Sequence, residues 1–238
     1  IRPGGGFGAR LSQRLADDGW RVLVAGRDAG KARAFAARLP VACGLAFDRN
    51  GDCAAQLALV RPDLVIDAAG PFQGSDYRLP QACIAAGVNY LDLADGREFV
   101  CGFSVLNQAA QAAGVVAISG ASSVPALSGA VLRQLTAGME RIAAVDTAIS
   151  ATTRGSAGPS VVAAALSYAG QEVPLWRGEA WTKAYGWGEM RRQHFTLPGE
   201  TPLRRLVALA DVPDLAIFPQ QLPGQPAVTF RGGSETAL

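Results

Sequence analysis

The sequence predicts a mixed α/β chain, a doubly wound parallel sheet followed by an α+β domain with a mainly antiparallel sheet. Three observations carry this. Short apolar runs of strand length alternate with helical stretches over the first half. Those runs lack the in/out alternation of a half-exposed sheet, as strands buried on both faces do. After Pro125 the pattern changes to longer strands, aromatic residues and Pro/Gly turns.

Leu11 and Leu15, four residues apart, give a helix over 8–18, and Gly19 stands where a C-terminal cap glycine belongs. The apolar run 21–26 is a strand. An amphipathic helix over 31–39 stops at Pro40. A strand over 42–47, a helix over 53–60 and a strand over 64–69 follow. A helix over 77–86 ends at Gly87, and 89–93 is the next strand. A helix over 103–113 ends at Gly114, and 115–119 is the last strand of this pattern. One more helix spans 126–135. Beyond it come strands over 142–153, 176–185, 191–197 and 228–232, with a helix over 160–169 among them. The domains are therefore read as 1–124 and 125–238. The chain opens almost inside a motif, so a first strand is expected before Ile1, and the second domain is expected to be incomplete at its C-terminal end.

Bulk properties narrow the function classes. The chain has 238 residues, 49% of them hydrophobic and 18% charged, the balance of a globular protein. A formal charge of +2 argues against nucleic acid or an anionic membrane as partner. Cys43, Cys53, Cys83 and Cys101 form no C-x-x-C pair, and His194 is the one histidine, so no metal site is expected. The cysteines read as thiols in a reducing cytoplasm. No uninterrupted apolar stretch of about 18 residues predicts a membrane span.

The glycine-rich start carries the first chemistry. A dinucleotide site needs a tight strand-to-helix turn and a backbone that approaches the pyrophosphate, which then meets the free N–H groups of a helix N-terminus. Here the loop reads Pro3-Gly4-Gly5-Gly6-Phe7-Gly8 and a helix follows at once. Read as G-x-G-x-x-G, its second and third glycines are Gly5 and Gly8, while Pro3 departs from the first. The competing reading is a terminus that happens to be rich in glycine. The second strand ends Val24-Ala25-Gly26-Arg27-Asp28. Arg27 suits an NADP 2′-phosphate, Asp28 competes for the 2′-OH of NAD, and a solvated turn accounts for both. NADP is favoured, with NAD as the alternative.

At Val65-Ile66-Asp67-Ala68-Ala69-Gly70-Pro71-Phe72 the sequence becomes specific. With Gly6-Phe7-Gly8-Ala9-Arg10-Leu11, residues 24–28, residues 83–93 and residues 120–128, it resembles the saccharopine dehydrogenase-like (saccharopine reductase-like) oxidoreductases, bacterial members of uncertain substrate. The resemblance implies a Rossmann domain, an NAD(P) cofactor, and a substrate domain that often forms a homodimer. It implies that Ala69, Gly70, Pro71 and Phe72 lie along the nicotinamide, where ligands of parallel sheets sit beyond the strand ends. Asp48 would sit near adenine, or serve as a turn acid before Asn50-Gly51. The expected cofactor contacts are thus Gly5, Gly6, Phe7, Gly8, Arg27, Asp48, Ala69, Gly70, Pro71 and Phe72.

No catalytic residue stands out. Tyr90, Asp92 and Asp95 cluster at a strand end, where two acids could perturb each other's pKa or simply build a turn. Ser122 and Ser123 read as helix caps or carboxylate binders. Arg154–Ser160 opens a helix that could hold an anion. Lys183, Tyr185 and His194 are candidate acids or bases, with His194 also readable as an ordinary strand histidine, and Trp176, Trp181 and Trp187 as core or interface. The function expected is an NAD(P)-dependent oxidoreductase acting on a small carbonyl, imine or amino-acid-like substrate. A non-catalytic NAD(P)-binding regulatory or assembly protein is the alternative, and relatives of the family suggest an enoyl reductase-like partner in lipid synthesis.

Overall fold

A computed structural model describes residues 6–151, 159–196, 198–199 and 201–235. Backbone contacts divide the chain into two units. The first runs to Ala94 and resumes over Gly102–Ser122; the second comprises Asp95–Cys101 and the chain from Ser123 onward.

In the first unit helices and strands alternate: α1 (Gly6–Asp17), β1 (Val22–Gly26), α2 (Ala29–Ala36), β2 (Ala42–Ala46), α3 (Cys53–Val60), β3 (Leu64–Asp67), α4 (Arg78–Ala85) and β4 (Asn89–Asp92). The chain then makes α5 (Arg97–Gly102), a 3-10 turn at Phe103–Leu106, α6 (Asn107–Ala113) and β5 (Ala117–Ile118). Helix starts follow local chemistry. Asp28 caps α2 by accepting from the Lys31 amide at 3.0 Å, and Asp52 caps α3 through the Ala55 amide at 3.0 Å. Gly19 and Gly114 end α1 and α6 with φ of 86° and 66°.

All strand pairs of this unit are parallel, β1 with β2 and β3 with β4 and β5. Ala16, Val22, Val24, Ala32, Ala36 and Leu39 form its buried cluster. The alanines let α2 lie directly on β2: a Cβ on Gly44 would stand 2.2 Å from the Arg33 amide nitrogen, so only glycine fits there.

Among the described residues the parallel strands form two sheets, so β1 and β3 each keep one edge without a ladder partner. A cavity of about 560 Å³ runs between those edges, lined by Val22, Leu23 and Ala25 on one side and Leu64, Val65 and Ile66 on the other. In the doubly wound order 3-2-1-4-5-6 that is the place of a strand between them. Its polar rim, with Arg27, Asp48, Arg49 and Asp67, lies at the carboxyl ends of the strands.

The second unit holds an irregular turn at Ser123–Leu127, α7 (Ser128–Leu135), β6 (Ala144–Ala151) and α8 (Pro159–Ser167). Then come β7 (Glu172–Arg177), β8 (Ala180–Tyr185), β9 (Arg191–Phe195), β10 (Leu203–Leu209), α9 (Asp214–Gln221) and β11 (Ala227–Ser234). Its four-stranded sheet runs β6-β11-β10-β9. β10 pairs antiparallel with both β9 and β11, and β6 and β11 pair in parallel, so the sheet is mixed and, as expected, mainly antiparallel. The stretch 176–185, expected as one strand, folds back on itself as β7 and β8, because Gly178 and Glu179 both take positive φ, 60° and 62°. The helix expected from 126 begins at Ser128, since Val124 is extended and precedes Pro125. Strand β10 and helices α5 and α9 were not expected. Arg204 and Arg205 interrupt the apolar run of β10, α5 is six residues long, and Pro219 lies inside α9. Among the described residues no helix is long and apolar enough to cross a membrane.

Val173, Leu175, Leu209, Leu215, Val228 and Phe230 centre this core. Beside Leu215 sits Asp214, 1% exposed. Burial pushes its carboxyl up to about 6, with the Ser128 hydroxyl acting the other way. Ionising it therefore opposes folding. The penalty grows as pH rises from about 4 to about 6 and is full above that, on the order of 2–3 kcal/mol. Asp214→Asn should unfold at a higher temperature than wild type at pH 8 and at nearly the same temperature at pH 4. A difference in Tm independent of pH contradicts this account.

Candidate functional site

The parallel strands of the first unit lead to four aspartates at their carboxyl ends, and each carboxylate accepts an amide from the loop that follows. Asp28 accepts from Lys31, Asp48 from Asn50 at 3.0 Å, Asp67 from Ala69 at 2.9 Å and Asp92 from Ala94 at 2.9 Å. Three of these are turns closed by the aspartate on the amide two residues on. The acids fix how the chain leaves the sheet.

Asp67 and Asp92 stand side by side in the β3–β4 register and are buried, 5% and 0% exposed. Buried carboxylates need donors. Asp67 has the Arg49 guanidinium at 3.2 Å. Arg49 also donates to the Ala69 carbonyl at 2.9 Å and lies 5.1 Å over the Phe72 ring. Asp92 accepts from the Ser119 hydroxyl at 3.0 Å and the Gly120 amide at 2.8 Å, so it joins the loops after β4 and β5. Burial raises the Asp92 pKa, opposed by its donors Gly120, Ala94 and Ser119. Tyr90 is buried and stacks on Phe103 at 5.9 Å. Burial, then the charges of Asp67 and Asp92, hold its hydroxyl protonated far above neutral pH.

Of the expected cofactor residues, Arg27, Asp48, Ala69, Gly70 and Pro71 all line the rim of the cavity. Phe72 is buried behind it. Gly6 and Phe7 are exposed in the first turn of α1, and Gly8 is buried there, its carbonyl accepting from Ser12 at 2.9 Å. Gly5 lies outside the described residues. Asp48 serves the turn at 48–51, with Gln56 holding its backbone N–H and C=O at 2.7 and 3.0 Å. Arg49 and Asp67 escaped the sequence reading. An acid ending the apolar run Val65-Ile66-Asp67 was the available signal.

Asp95 belongs to the second unit, and Asp92's raised pKa comes from burial. Ser122 and Ser123 cap no helix, because α7 begins at Ser128 without a side-chain cap. Lys183 is exposed and paired with Glu172 at 2.9 Å, Tyr185 is 60% exposed, and His194 is exposed on β9. Trp176 and Trp181 pack edge to face across the β7–β8 hairpin, and Trp187 donates to the Ala165 carbonyl. Arg154–Gly158 lies outside the described residues, and α8 begins at Pro159.

Two features of the rim suit a dinucleotide. A Cβ on Gly70 would meet only the Phe72 ring, at 3.5 Å, an ordinary contact. Gly70 is not among the glycines with positive φ. The protein's own packing does not demand glycine there, whereas a ligand approaching the backbone does. Arg27 is exposed, and its side chain has no hydrogen bond or ion pair among the described residues. The first turn of α1 adds amides that no helical carbonyl can satisfy. Among the described residues no cluster of His, Cys, Asp or Glu could hold a metal ion.

Residues 4–118 match the family model described as the saccharopine dehydrogenase NADP binding domain. No curated protein sequence matches the chain. Among solved structures it is similar to an NAD binding oxidoreductase from Klebsiella pneumoniae, at 15% identity and a TM-score of 0.42, covering 95% of this chain and 62% of that one. It is also similar to yvaA from Bacillus subtilis, provisionally described as an oxidoreductase, at 11% identity and a TM-score of 0.39, covering 88% of this chain and 55% of that one. The chain thus spans less than two thirds of the length of either structure.

The Asp92 knot gives a stability prediction. Asp92→Ala strands two buried amides and the half-buried Ser119 hydroxyl and should lower the urea unfolding free energy by about 3 kcal/mol, whereas Asp92→Asn keeps an acceptor oxygen and should lose less. Equal losses under about 1 kcal/mol for both variants contradict the role assigned to the carboxylate.

Proposed function

We propose, from the match of residues 4–118 to the saccharopine dehydrogenase NADP binding domain, that the chain is an oxidoreductase of that type, with NADP as its cofactor and a small carbonyl, imine or amino-acid-like compound as substrate. One observation carries the choice of NADP. Asp28, the acid that could bind a ribose 2′-OH, is engaged as the α2 cap and pairs with Lys31 at 3.7 Å. Arg27 beside it is exposed and unengaged among the described residues. A guanidinium left open at this strand end suits a 2′-phosphate.

In this reading Gly5, Gly6, Phe7 and Gly8 offer α1's free amides to the pyrophosphate. Arg27 takes the 2′-phosphate and Asp48 borders the adenine. Ala69, Gly70 and Pro71 border the nicotinamide, with Phe72 backing the turn. The bound cofactor supplies the hydride. The protein's part is to orient it: Gly70 admits the ring against the backbone, and the buried Phe72 keeps water from behind the turn. A homodimer belongs to the same proposal. Leu127, Val131 and Leu135, four residues apart, are 60%, 49% and 68% exposed, an apolar stripe of the kind that self-association covers.

Titration with each reduced cofactor tests the choice of nucleotide. NADPH should bind more tightly than NADH, and Arg27→Ala should weaken NADPH about tenfold or more while leaving NADH unchanged. Tighter binding of NADH by the wild type overturns the Arg27 assignment. NADPH oxidation assayed against keto acids, imines and enoyl thioesters then tests the activity: turnover of a keto acid or imine is expected, and binding without turnover across the panel contradicts the enzyme reading.

A further inference from the structure

We infer that Arg49 is a positioning residue for the cofactor, fixing the turn at 69–71 and with it the nicotinamide half of the dinucleotide. The inference rests on the NAD(P) reading above.

Arg49 follows β2, in the sheet of β1 and β2, yet its side-chain contacts lie on the segment that leaves β3 in the other sheet. Among the described residues no ladder hydrogen bond joins those two sheets, so this side chain bridges the rim of the cavity between them. Its partners converge on one residue. The Asp67 carboxylate accepts the Ala69 N–H at 2.9 Å, and Arg49 Nη1 donates to the Ala69 C=O at 2.9 Å. Arg49 Nη1 also lies 3.2 Å from the second Asp67 oxygen, which couples the two grips. Both backbone groups of Ala69 are therefore held by one ion pair.

The orientation of Ala69's carbonyl is the orientation of the Ala69–Gly70 peptide. Gly70 has no side chain to limit its rotation, and the nearest atoms to a built Cβ there belong to Phe72. Without Arg49 the N–H side of Ala69 stays tied to Asp67, but the plane that faces the ligand loses its restraint. The pair is shielded enough to be stiff, with 18% of the Arg49 side chain and 4% of Asp67's exposed. Lysine cannot take its place, since an ammonium has no planar face to lie over the Phe72 ring while its nitrogen bridges the carbonyl and the carboxylate.

The test compares NADPH with 2′,5′-ADP, which carries the adenine half and no nicotinamide, on wild type, Arg49→Lys and Arg49→Ala. Both variants should bind NADPH about tenfold or more weakly and 2′,5′-ADP within about twofold of wild type. In the ligand-free proteins the Gly70 amide should show a lower backbone order parameter in the variants than in wild type. Equal weakening of both ligands means a merely structural role and overturns the inference, as does unchanged NADPH binding or an unchanged Gly70 order parameter. If wild type binds neither ligand, the NAD(P) reading itself fails. The order-parameter comparison then still decides whether Arg49 holds the turn.

Discussion

The carboxylates buried at the ends of β3 and β4 constrain everything around the cleft of the first unit. Neighbouring parallel strands bring Asp67 and Asp92 into register with almost no access to water. A charge in that position is tolerated only with donors on hand. One has the Ala69 amide as donor and Arg49 as ion-pair partner, and the other has the donors Ala94, Ser119 and Gly120. Satisfying the two acids therefore fixes the segment after β2 and the loops after β3, β4 and β5. The surface offered to a ligand at the strand ends follows from a requirement internal to the sheet.

This recasts acids that look catalytic in a sequence. Asp92 and Tyr90 sit at a strand end and have perturbed proton affinities, the usual marks of an acid or base. Their perturbation comes first from burial, and Asp92's donors come from loops it ties together. Asp28 likewise caps α2, and Asp48 closes a turn. What remains open is Arg27 and the bare backbone of Gly70 on the rim, together with the free amides in the first turn of α1.

Much of the first unit was legible in the sequence because its signals are local. A capping aspartate, a glycine at a helix end and an unbroken apolar run each act within a few residues, and α3 spans the expected 53–60. The second unit was less legible. The β7–β8 turn depends on positive φ at Glu179, a residue with no preference for it, and the parallel pairing of β6 with β11 joins segments far apart in the chain. In the site, Arg27 and the turn at 69–72 could be read from residue type and place. Arg49 could not, because its role arises from contacts twenty residues away across two sheets.

Amide chemical shifts recorded as NADPH is added test the central claim most directly. The account predicts that the largest changes fall on residues 6–8, 26–28, 48–50 and 69–71, the first turn of α1 and the carboxyl ends of β1, β2 and β3. Saturable binding whose shifts fall instead on the cavity's interior at 22–25 and 64–66, or wholly in the second unit, would contradict it.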